Sequence, residues 1–90
     1  MDFRHLRYFV AIAEEGTFTR AARRLFVAQP ALTKQIHDLE AVVGGALLVR
    51  GARGVTLTPA GAEFLVHARA ILEGEARARA CVLPAATHAP

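Results

Sequence analysis

The stretch Gln29-Pro30-Ala31-Leu32-Thr33-Lys34-Gln35-Ile36-His37-Asp38-Leu39-Glu40 gathers amide, hydroxyl, ammonium and imidazole groups within three turns of chain. Leu32, Ile36, Leu39 and Val43 recur at helical spacing and make one apolar stripe. Pro30, Thr33, Lys34 and His37 then fall on the other side, with Gln29 in the opening turn. Donors and acceptors of this size, on a helix of this width, suit the base edges and phosphates of a DNA major groove. The same pattern also describes an ordinary amphipathic helix facing water. Charge and neighbouring elements must decide between them.

The chain has 90 residues, a formal net charge of +3 and a pI near 10.0. Residues 1–58 hold eight Lys/Arg against five Asp/Glu, whereas residues 59–90 hold three of each, so the whole excess lies in the front part. No acid occurs between Glu15 and Asp38, a window containing Arg20, Arg23, Arg24 and Lys34. None occurs between Glu40 and Glu63, a window containing Arg50 and Arg53. Cations without counter-charges, flanking a polar helix, are the footprint expected of a polyanion-binding surface. A solvated face is the other fate open to Arg20, Arg23 and Arg24.

Other classes find less support. Four histidines, His5, His37, His67 and His88, are scattered and make no ligand set, and Cys81 alone builds neither a disulfide nor a zinc site. No nucleophile, base and orienter share a plausible spacing, and no glycine loop cradles phosphate, so neither catalysis nor a cofactor is expected. No apolar run approaches the roughly 18 residues of a membrane span, and no cleavable leader is visible, which points to the cytoplasm. Single-strand binding is disfavoured by an expected lack of exposed aromatic stacking platforms.

The elements that would position the polar helix can be read in order. Asp2 caps a first helix with Leu6, Phe9, Val10 and Ala13 on its core stripe, stopped by Gly16. Thr17 caps a short second helix with Phe18, Ala21, Ala22 and Leu25 inward and the three arginines outward. Phe26-Val27-Ala28 is a tight connection into the polar helix, whose Pro30 sits where a missing N–H costs nothing. Helix, short turn, helix is the helix-turn-helix pattern. After Gly44-Gly45, Leu47–Arg50 and Val55–Thr58 read as two strands around Gly51-Ala52-Arg53-Gly54. Arg53 at that tip is either an exposed loop residue or a wing residue reaching the adjacent minor groove.

Thr58-Pro59 starts a long helix expected to run to about Leu83, where Pro84 halts it, leaving 84–90 as a disordered tail. Arg69, Glu73 and Arg77 follow each other at i, i+4 on its polar side. Ile71, Leu72 and Ala76 are expected beyond the reach of the head's core, and so to need a partner, most simply a second copy of the helix. The expected fold is therefore mainly α: a winged helix-turn-helix head over 1–58, of three helices plus a two-stranded wing, and a linker dimerisation helix over 59–83. A protein-interaction module built on the long helix, without DNA binding, is the alternative.

The residues Phe18-Thr19-Arg20-Ala21-Ala22, Leu25, Gln29 to Ile36, Leu39-Glu40, Gly44, Leu47, Arg50 and Leu57-Thr58-Pro59-Ala60-Gly61 together resemble the amino-terminal domain of LysR-type transcriptional regulators. The resemblance covers nearly all of residues 3–72. It implies sequence-specific double-stranded DNA binding in a bacterial cytoplasm, by a homodimer joined through its linker helix. Gln29, Pro30 and Thr33 would meet base edges, Lys34 and Gln35 phosphate or base, and Arg53 the minor groove. Arg20, Arg23, Arg24, His37 and Arg50 complete the candidate surface, and Ile71, Leu72 and Ala76 the dimer seam. Full-length members carry a carboxy-terminal effector domain and assemble as tetramers. Ala28 stands where the family usually has serine, and Leu48 and Val49 where it has phenylalanine and an acid.

Overall fold

The computed structural model describes residues 1–88, with side chains as far as Val82. The element order is α1 (Phe3–Glu15), α2 (Phe18–Leu25), α3 (Gln29–Val43), β1 (Leu48–Gly51), β2 (Gly54–Leu57) and α4 (Pro59–His88). Each early helix is bounded by side-chain chemistry. Asp2 accepts the His5 amide at 2.9 Å while the His5 ring accepts the Asp2 amide, a reciprocal cap in which histidine takes the place usual for glutamate. Thr17 Oγ1 accepts the Arg20 amide at 3.0 Å. Gly16 and Gly44 close α1 and α3 in the left-handed region, which a residue without Cβ enters freely.

The core lies where α1 crosses the helix-turn-helix. Phe9, Ile12, Leu32, Ile36 and Leu39 are its largest fully buried side chains, each contributing about 1.5–3 kcal/mol by leaving water. Ala21 and Ala22 are buried as well, and their small size lets α2 lie close to α3. Two apolar residues expected on the core stripes fall outside it: Val43 is exposed and Ala13 half-buried. On α1, Ala11 and Ile12 are buried in addition, because the helix is covered by α2 and α3 on one side and α4 on the other. A covered helix needs a wider apolar arc than one stripe.

The strands sit one residue from their expected bounds, at each end toward the turn's side, so the hairpin loop is only Ala52-Arg53, with Leu48 opposite Leu57 and Gly51 opposite Gly54. Thr58 is unavailable to β2 because it starts α4: its Oγ1 accepts the Gly61 amide at 2.9 Å and donates to Ala46 O at 2.8 Å. The amides of Leu47 and Leu48 donate to Glu40 Oε2 at 2.7 and 3.2 Å, and Leu47 O accepts the Thr58 amide at 3.0 Å at the base of the hairpin. The Val55 amide donates to Gly16 O at 2.9 Å. The wing is thus fastened to α3, to the α1–α2 turn and to the start of α4.

α4 approaches so closely that a Cβ on Gly61 would lie 2.0 Å from Leu47 O. Ala68 is fully buried against α1, and Phe64 meets Phe9 edge-on with centroids 5.3 Å apart. Two expectations for α4 are corrected. Leu72 packs against the head's core and Ile71 lines a cleft with Met1, Asp2, Phe3 and Leu6, because α1 runs alongside α4 as far as its own first turn. Ala76 is exposed. The helix also continues through Pro84 to His88 rather than stopping at Leu83. Proline removes one helical hydrogen bond, a local cost set here against an alanine-rich neighbourhood of high helix propensity. Of the expected disordered tail, 84–88 are helical, and Ala89 and Pro90 lie outside the described residues.

Candidate nucleic-acid interface

Three elements meet at one open cleft. Thr17, Phe18 and Thr19 from the start of α2, Gln29 from the start of α3, and Arg50 to Val55 from the wing line it together. Phe18 is buried, and the Arg50 guanidinium stacks over its ring at 3.9 Å from the centroid. A cation held over an aromatic face keeps its charge while losing freedom of position. Arg53 stands exposed in the hairpin loop. Among the described residues neither Arg50 nor Arg53 makes an ion pair, and neither do Arg20 and Arg23. Arg23 lies one helical turn from Thr19 on the same side of α2.

On α3, Gln29, Pro30, Lys34 and His37 are exposed, whereas Thr33 and Gln35 are half-buried. Lys34 Nζ lies 2.9 Å from Asp38 Oδ2 one turn on, and this ammonium holds the Asp38 carboxyl below its usual pKa. The pair is largely in water, so a competing phosphate can displace it at little cost. Ala28 gives α3 no side-chain cap. The first-turn amides of Gln29 and Ala31 therefore face outward unclaimed by a side chain, and Pro30 has none to satisfy.

Arg24 behaves differently from its neighbours. Its Nη1 lies 2.8 Å from Glu14 Oε1 and 3.2 Å from Glu15 Oε2. Glu14 also accepts from Arg69 of α4 at 3.1 Å. The Arg24 hydrogen bond, ahead of that from Arg69, lowers the Glu14 pKa, and Glu14 in turn raises that of Arg24. Arg24, counted from sequence with the outward arginines, is thus committed to a bridge between α1, α2 and α4. The run expected along α4 is also rearranged: Arg69 turns to Glu14, and Arg79 pairs with Glu75 at 2.8 Å.

Sequence reasoning passed over several residues that shape this surface. Thr19 donates to Gln29 Oε1 at 3.1 Å, a contact between helices that no local pattern announces. Glu40 anchors the wing, a role that its place in the family-like pattern Leu39-Glu40 does not announce. Phe26, at the helix-turn-helix corner, is 94% exposed with φ +58°. The Val27 amide donates to Ala22 O and the Phe26 amide to Arg23 O, the paired bonds that close a helix through a left-handed residue. A phenylalanine there overturns the expected absence of exposed aromatic rings. Phe3, at the start of α1, is exposed as well, and two rings on separate elements are not the row on which successive bases stack.

The family described as bacterial regulatory helix-turn-helix protein, lysR family, matches residues 3–62. The chain belongs to the LysR family. It is 62% identical over 73 residues to the HTH-type transcriptional regulator TfdS of Cupriavidus pinatubonensis, a match covering 81% of this chain and 25% of that protein. It is 59% identical over 73 residues to the Hca operon transcriptional activator HcaR of Escherichia coli, with the same two coverages. The chain thus spans about a quarter of the length of these curated LysR relatives. The crystal structure of the CbnR DBD–DNA complex superposes with a TM-score of 0.89 at 49% identity, covering 96% of this chain and 99% of that one. The winged helix-turn-helix is accordingly the fold of this LysR-family domain. Among its described residues no helix is long and apolar enough to cross a membrane.

Proposed function

We propose that this chain is the DNA-binding domain of a bacterial LysR-type transcriptional regulator and binds double-stranded DNA sequence-specifically. α3 enters a major groove, where Gln29, Pro30 and Thr33 meet base edges and Lys34, Gln35 and His37 meet bases or backbone. Arg20, Arg23 and Arg50 meet phosphates, and Arg53 reaches the adjacent minor groove. The observation that carries this reading is the convergence of Gln29, Arg50 and Arg53 on one cleft, where among the described residues neither arginine makes an ion pair. Its relative CbnR has been solved with DNA bound to the corresponding domain. The setting is the cytoplasm, on the nucleoid, and the reading assigns the chain no catalysis.

Two heads are joined, in this reading, through α4. Beyond Leu72, α4 exposes Ala76 and Val82, and Ile71 is partly open beside the start of α1, apolar positions that a second copy of the helix would cover. As part of a longer protein with an effector domain, such dimers would pair into tetramers. Leu72 touches the head's core, so Ala76 is the cleaner probe of the seam: Ala76→Arg is expected to sediment as a monomer with an unchanged helical spectrum. The base-reading assignment is tested on duplexes selected from a random pool. Gln29→Ala should cost about 1–3 kcal/mol on the selected site and little on random duplex. An equal loss on both would remove Gln29 from base readout.

A further inference from the structure

Gln29 is exposed, yet its side chain has a fixed neighbour. Thr19, in the first turn of α2, donates its hydroxyl proton to Gln29 Oε1 across 3.1 Å, and both residues line the cleft beside the wing. The contact joins residues ten apart in sequence on different helices, and the close packing allowed by Ala21 and Ala22 brings those helices together. A primary amide has two unlike ends: its oxygen accepts, and its nitrogen donates two protons. With the oxygen drawn toward α2, the nitrogen occupies the opposite branch of the planar group. Among the described residues it has no protein acceptor.

We propose that Thr19 is a positioning residue for base readout, turning the Gln29 amide so that its NH2 end meets the duplex. This rests on the reading of Gln29 as a base-contacting residue. Presented nitrogen-first, Gln29 selects an acceptor on the major-groove edge, such as purine N7, guanine O6 or thymine O4. Thr19 adds no charge to the interface, so it alters discrimination and leaves the electrostatic part of binding untouched. Specificity at one base pair thereby depends on a helix other than the one that reads it.

The test uses the full chain and a selected duplex randomised at the base pair whose preference disappears in Gln29→Ala. Thr19→Val keeps the shape and removes the hydroxyl. It should weaken binding to the preferred base pair by roughly three- to tenfold, the worth of one neutral hydrogen bond, and leave the other three base pairs unchanged. Thr19→Ser should restore the preference. In a Gln29→Ala background Thr19→Val should have no further effect, and the slope of log affinity against log salt should stay at its wild-type value throughout. A Thr19→Val variant with its preference intact overturns the proposal. So does an equal loss in the Gln29→Ala background, which would make Thr19 itself the DNA contact. If Gln29→Ala leaves every preference standing, the base-reading assignment fails and the role of Thr19 falls with it, an outcome distinct from a silent Thr19→Val beside a costly Gln29→Ala.

Discussion

Arg23 and Arg24 are adjacent, of one residue type and on one short helix, yet they belong to regions built on opposite rules. At the junction of α1, α2 and α4, Arg24 and Arg69 converge on Glu14, and the apolar surfaces of the three helices close over Phe9, Ala68 and Phe64. At the cleft of α2, α3 and the wing, Arg50 and Arg53 make no ion pair among the described residues, and neither does Arg23, one turn along α2 from Thr19. The junction holds the head together by satisfying its charges internally. The cleft leaves its charges open, which destabilises nothing while they are hydrated and becomes useful when a polyanion arrives. On the proposed reading, stability and affinity fall to different arginines of the same helix.

The sharpest way to break this division is where α4 meets the root of the wing. Gly61→Ala puts a Cβ against the Leu47 carbonyl, where neither backbone can retreat without moving the wing. The expected loss is about 3 kcal/mol in thermal or denaturant unfolding, with DNA binding lost alongside because the cleft comes apart. A variant of unchanged stability would show that α4 and the wing adjust independently.

A milder test removes one charge from each region. Arg24→Ala should lower stability by about 0.5–1 kcal/mol, discounted for the partial exposure of the pair, with an unaltered salt slope of binding. Arg23→Ala should do the reverse: stability within about 0.5 kcal/mol of wild type and a salt slope flatter by roughly 0.9. If both variants flatten the slope, the bridge to Glu14 opens on the duplex and the division is not as drawn.

The smallest effect is a pH dependence. Glu14 has a lowered pKa in the folded chain, caused first by Arg24, so its contribution is fully present above the ordinary glutamate pKa of about 4.3. It fades as pH falls through the lowered folded value, because the unfolded chain takes up the proton first. Glu14→Gln should flatten that acid limb of the stability curve by a few tenths of a kcal/mol, while leaving DNA affinity at neutral pH unchanged.

How far the sequence discloses these regions follows from the range of the interactions involved. Caps and stops are local, and Asp2, Thr17, Thr58, Gly16 and Gly44 act where their types and neighbours place them. The stripe Leu32, Ile36 and Leu39 is likewise read from spacing alone. The partner of an arginine is not: Arg23 and Arg24 are alike until α1 brings Glu14 beside one of them. The reach of α4 differs from the expected one for the same reason, since only the course of α1 places Leu72 against the core. Phe26 at a positive φ contradicts local preference outright, and only the paired bonds to Ala22 and Arg23 show that the turn demands it. The contact between Thr19 and Gln29 and the hold of Glu40 on the wing are likewise products of the assembled fold.

That hold of Glu40 sets a measuring property. One carboxylate oxygen grips two successive amides at the root of β1, while the other strand is pinned through Val55 to the turn that opens α2. Reading helix and hairpin are thereby the two jaws of a caliper with no sliding joint. If α3 and the wing enter adjacent grooves as proposed, a duplex whose grooves are spaced otherwise would have to bend or narrow to fit. Binding would then depend on the flexibility of sequences that neither jaw touches.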